Sequence, residues 1–248
     1  MAKKLSNLKL KNIVSDDYSS DDEDKNVTRK LDLDLTLEKL NLGPKKKLLV
    51  LNLSGLLVHR VHRRDRFNVQ SYKPDLICGN FSGLRNMDAI LDNIMVGLRR
   101  KLLFVWDQQK CVDSGFKCLE KKEKPIFLKP MKKIWENKYD LLPFRGGKFS
   151  ESNTLMIDDE PHIALINPPN TAVFPPIFKV GNGKDTFLGP KGDMQKFLDG
   201  LVDADDVPTY VKEHPLIGQP AITASHRDWD YYAKIIRFVG IKKEASEV

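Results

Sequence analysis

Long apolar runs are missing from this sequence: none approaches the ~20 residues that a membrane-spanning helix needs, so no span is expected. Cysteine is scarce as well. Cys78, Cys111 and Cys118 make an odd number, which suits a reducing compartment better than a disulfide framework. Cys111 and Cys118 would be half of a zinc site at most, with no second pair to complete it, so buried thiols are expected. His59 and His62 stand three apart in a basic stretch without acidic or cysteine companions, and are read as surface residues. Aromatics make up 8% of the chain and do not interleave with the basic runs at 45–47 and 60–66. Despite a net charge of +7, nucleic-acid binding through base stacking is therefore not expected. The basic runs read as a solvated rim suited to an acidic or phosphorylated partner. Internal repeats are absent. No secretory signal is expected: MAKKLSNLKLKNIV is too charged and turns acidic at Asp16. Its four lysines lack arginine and length for an organelle presequence.

What is present begins with a tail. Residues 1–43 include SDDYSSDDED (15–24), too polar and too charged to offset its ordering entropy, so this part is expected to be disordered. A single α/β domain is expected from 44 to 240, followed by a short tail at 241–248. Within it, KLLVLNLSGLL (47–57) is an apolar strand that runs into a turn, with Asn52 and Ser54 at its carboxyl end. Side chains two apart on extended backbone share a face, and in open α/β sheets chemistry gathers beyond the strand ends. A second apolar strand, in LMIDDEP (155–161), ends on Asp158 and Asp159. The two segments have the form of the halves of a phosphoryl-transfer site around Mg²⁺, with an amide and a hydroxyl where two carboxylates would act.

The remaining elements follow from periodicity and caps. Strands are expected at 47–53, 102–106 and 154–158. Helices are expected at 86–99 (with Asn86 as cap), 129–138, 190–206 and 228–238, the last holding Trp229, Tyr231 and Tyr232. A basic loop should run to about residue 85, and another loop through Gly115. Strands alternating with helices point to a parallel sheet covered by helices.

KKLLVLNLSGLLVHRVH (46–62), KLLFVWDQQKCVDSGFK (101–117), KPIFLKPMKKIWE (124–136), SNTLMIDDEPHIALINPPNTAVF (152–174) and LGPKGDMQKFLDGLVDADDV (188–207) occur in this order. Together they resemble the NLI-interacting-factor, or RNA-polymerase C-terminal-domain phosphatase, branch of the haloacid dehalogenase superfamily, in a form common in plants. The likeness spans roughly residues 41–237 and implies a haloacid-dehalogenase-like parallel sheet with helices on both faces. In that family the first motif is an apolar strand followed by Asp-x-Asp-x-Thr or Asp-x-x-Gly. Its first aspartate attacks phosphorus and binds Mg²⁺, and its second moves the proton. Asn52 and Ser54 stand in those two positions. Lys129 matches the phosphate-neutralising lysine, Asp159 the direct metal ligand and Asp158 its support, with Asn52 retaining only an amide oxygen for the cation. The resemblance thus implies Mg²⁺ as cofactor, weakened or lost here.

Asp32, Asp34 and Thr36 in LDLDLTLEKLNL (31–42) also spell the motif, but the residues before Asp32 cannot form a buried parallel strand, which is a continuous apolar run. The alternating leucines match a plant corepressor-binding pattern as well, one that arises easily by chance. A further departure lies at 72–95, where the family's phosphate-holding Ser/Thr and one strand–helix unit are missing, through a real deletion or a faulty gene model. Three functions follow as expectations. The first is an impaired, phosphatase-like module that binds a protein or phosphoprotein. The second is an active Mg²⁺-dependent phosphoserine/phosphothreonine phosphatase. The third is a component of the mitochondrial inner-membrane import translocase, which the domain also resembles. The expected location is nuclear or cytoplasmic, with mitochondrial as the alternative.

Overall fold

Four consecutive residues, Thr154–Ile157, are fully shielded on both sides of one strand, and the fold is arranged around them. The computed structural model describes residues 46–61, 67, 83–137, 142–181 and 185–246, all within the unit Pro44–Val248. Expectations for the 1–43 tail, the Asp32-Asp34-Thr36 motif, His62, Cys78 and most of the segment before residue 83 lie outside the described residues.

Among the described residues there are five strands: β1 (Leu48–Leu51), β2 (Val112–Lys117), β3 (Pro125–Leu128), β4 (Thr154–Ile157) and β5 (Ala172–Val173). Five α-helices accompany them: α1 (Gly83–Ile94), α2 (Lys132–Glu136), α3 (Asp193–Asp203), α4 (Val207–Glu213) and α5 (Trp229–Ser246). The main sheet has the order β1-β4-β5 and is parallel throughout. This is an α/β fold. Register pairs Leu49 with Leu155 and Leu51 with Ile157. Alternation sends Leu48 and Met156 into a core with Met131, Ile134 and Phe149. Leu155 and Ile157 enter another with Met194, Phe197 and Leu201. Helices therefore cover both faces of β4, which explains why its sequence is apolar without interruption.

The strand expected at 102–106 is irregular backbone with a bend at Leu103, and it enters no ladder among the described residues. Its apolar side chains are used otherwise: Phe104 and Trp106 pack on the first core, while Leu103 faces out. Instead of a loop through Gly115, β2 and β3 form an antiparallel pair. Gly115, at φ 76°, sits where the register shifts between Asp113 and Lys117, a bulge that only glycine enters without strain. Against this pair α5 buries Tyr232, Ile235 and Val239, together with Ile126 and Leu128.

Helix bounds also differ. The helix expected at 190–206 is shorter, α3 ending at Asp203, and Asp206 instead caps α4, its side chain accepting from Thr209 N at 2.9 Å. α2 is shorter than 129–138: it stops at Asn137, at φ 38°, whose amide group binds the main chain of Leu142. α1 starts and ends earlier than 86–99, closing before Gly97 at φ 71°. α5 runs on to Ser246 and so takes in most of the expected C-terminal tail. No helix among the described residues is long and apolar enough to cross a membrane.

Candidate functional site

β1 and β4 lie side by side and parallel, so their carboxyl ends deliver residues 52–55 and 158–160 to one edge of the sheet. The ladder extends one step further, Asn52 N donating to Ile157 O at 2.9 Å. Lys129 arrives from a third direction, directly after β3. Its backbone is pinned on both sides: Lys129 N donates to Ile163 O at 3.0 Å, and Asn167 Nδ2 donates to Lys129 O at 2.9 Å.

The side chains then close a hydrogen-bonded circuit. Lys129 Nζ donates to Asp158 Oδ2 at 2.6 Å and to Asn52 Oδ1 at 2.9 Å. The Asn52 Nδ2 amide donates to Asp159 Oδ1 at 2.8 Å and to the main-chain oxygen of Ser54 at 2.6 Å. Asp158 Oδ1 accepts from Glu160 N at 3.1 Å. Gln219 Nε2 holds the Asp159 main-chain oxygen at 2.8 Å. The direction of the Asn52 amide is dictated by its partners. Its nitrogen faces two acceptors and its oxygen faces an ammonium, so the reversed placement would set oxygen against oxygen.

Four of the five singled-out side chains thus come together: Asn52, Lys129, Asp158 and Asp159. Ser54 joins through its carbonyl oxygen, while its hydroxyl takes no part in the circuit. Three further residues carried no sequence signal of their own role. Gln219 and Asn167 reach in from distant loops. Gly55 lies in the turn after β1, and the need for a glycine there is now visible. At φ 86° it lies under the Asp159 carboxylate, where an added Cβ would fall 2.2 Å from Oδ2. Only a residue without a side chain lets that carboxylate lie against the turn.

Electrostatically the centre is crowded, and one of its carboxylates is enclosed. The Asp158 side chain is 2% exposed, that of Lys129 28%. Burial drives the Asp158 carboxyl up to about 6, against the opposing pull of Lys129. Desolvation outweighs the ion pair, as is common when one partner is fully enclosed. Next to the circuit, Glu160 pairs with Lys124 and stands 3.6 Å from His162 Nε2. Burial pulls the His162 imidazole below its ordinary value.

Cys111 follows the same strand geometry: Val112 pairs with Leu128, which places Cys111 beside Lys129. It is half-buried, while Cys118 is buried and donates to Glu120 Oε2 at 2.9 Å; both thiols are free. His59 is partly shielded and accepts from Val180 N at 3.1 Å. Among the described residues no three His, Cys, Asp or Glu side chains gather as a metal-holding group. No family model, curated protein or solved structure matches this chain.

Proposed function

We propose that this chain is a catalytically impaired, phosphatase-like module of the haloacid dehalogenase type that binds a protein or phosphoprotein without turning it over. One observation carries the reading: the residue at the carboxyl end of β1, beside Lys129 and the two aspartates, is the amide Asn52. An amide is a poor nucleophile and brings no negative charge, so no aspartyl-phosphate can form there. Ser54 supports the same conclusion. A hydroxyl of very high pKa cannot shuttle protons near neutrality, which removes a roughly 10²–10⁴-fold contribution to rate. What the pocket retains is a lysine ammonium at a strand end, a group able to meet a phosphate oxygen as a point charge.

The test is hydrolysis of p-nitrophenyl phosphate with Mg²⁺, run beside Lys129→Ala and Asp32→Asn proteins. We expect wild type and Lys129→Ala to be indistinguishable from buffer. Turnover that Asp32→Asn abolishes would instead make the protein an active phosphatase working from its N-terminal motif. Binding is read separately, by fluorescence anisotropy of a phosphoserine peptide and its unphosphorylated twin.

A further inference from the structure

The carboxyl end of β1 brings a carboxylate oxygen of Asp159 and the Ser54 carbonyl oxygen towards one point, with the Asn52 side chain between them. Converging carboxylate and carbonyl oxygens are what a hard divalent cation is normally given. Here the point already has a positive occupant of another kind. Nδ2 of Asn52 sends one hydrogen to each oxygen, at 2.8 and 2.6 Å. On its other side the Asp159 carboxylate lies against Gly55, with both oxygens within 2.7 Å of where a Cβ would be. The second carboxylate is engaged too, Asp158 accepting from Lys129 Nζ and from Glu160 N. A Mg²⁺ ion demands near-octahedral oxygen ligands at about 2.0–2.1 Å. It could reach these oxygens only by expelling the amide that now satisfies them. The residues present do not fit the ion.

We infer that the Asn52 amide stands in for the divalent cation, so that this site is a metal-independent clamp joining the ends of β1 and β4. The donor set also limits the charge that must be met. Two carboxylates face one ammonium and one neutral amide with two polarised hydrogens, which leaves a single uncompensated negative charge. Replacing the amide by a carboxylate would bring three oxygens together with no hydrogen between them. Such a site would require a proton or a cation to hold. The clamp concerns what holds the pocket, and it stands whether or not a phosphorylated partner binds there.

The experiment is thermal unfolding in EDTA and in millimolar MgCl₂. Wild type is expected to melt at one temperature in both, within about 1 °C. Asn52→Asp should melt more than about 5 °C lower in EDTA and recover when Mg²⁺ is added. The exchange Asn52→Asp with Asp159→Asn restores one amide facing one carboxylate, and should melt near wild type in EDTA. A wild-type protein stabilised by Mg²⁺ overturns the inference. So does Asn52→Asp melting like wild type in EDTA. If Asn52→Asp does not fold, the wild-type and double-exchange melts decide the matter by themselves.

Discussion

Lys129 has its charge at the one place in the site where burial would otherwise forbid a carboxylate to ionise. Removing it leaves Asp158 enclosed without a counter-charge. Lys129→Ala should therefore cost about 1–3 kcal/mol at about pH 8 by urea unfolding. The penalty should shrink as pH falls below about 6, where Asp158 takes up a proton in the wild type. The sign follows from proton counts. Because the folded-state value of Asp158 lies above its ordinary 3.8, the native state holds more protons between about 4 and 6. Wild-type stability should accordingly rise as pH drops through that window, and Asp158→Asn should flatten the slope. A rise that persists unchanged in Asp158→Asn would place the titrating group elsewhere. Gly55 gives a second check at this scale. Gly55→Ala must adopt φ 86° and press a methyl group into Asp159, so a loss of about 1–3 kcal/mol is expected.

Among the elements, β1 and β4 have similar apolar sequences and unlike surroundings. Leu155 is completely buried, while its register partner Leu49 is 40% exposed and Leu51 49% exposed. β1 pairs only with β4 among the described residues, so the half of its face away from β4 meets less protein. Leu155→Ala should cost about 2–5 kcal/mol, and Leu51→Ala well under half of that. Denaturant midpoints of the two variants check this; equal losses would mean that the outer face of β1 is covered after all. Elements were also where sequence patterning was least reliable. The apolar run 102–106 has strand composition, but among the described residues it enters no ladder, and Phe104 and Trp106 half-bury their rings. A loop is expected through Gly115, but β2 pairs with β3 there through a bulge, and α5 packs on Ile126 and Leu128 of the pair.

Over the whole molecule, the net charge of +7 bears on partners rather than on fold. If a phosphorylated or acidic partner docks on the proposed module, affinity should fall as salt rises, because exposed charges are screened within a Debye length of about 10 Å at 0.1 M. Anisotropy titrations across ionic strength read this directly, and a salt-independent affinity would point to an apolar contact instead.

The sequence by itself determined that β4 would be a buried strand, since an uninterrupted apolar run tolerates no wet face. It determined that Asn52 and the aspartate pair would leave strands at the same end, since parallel strands share a direction. It also decided that the position after Leu51 would lack a carboxylate. Only the tertiary structure settled which way the Asn52 amide points and that it meets Asp159, 107 residues away. The same holds for the place of Ser54, which enters through its carbonyl, and for the burial that raises the Asp158 carboxyl. Those outcomes depend on distances between separate segments and on how completely water is removed, and neither quantity is written in local order.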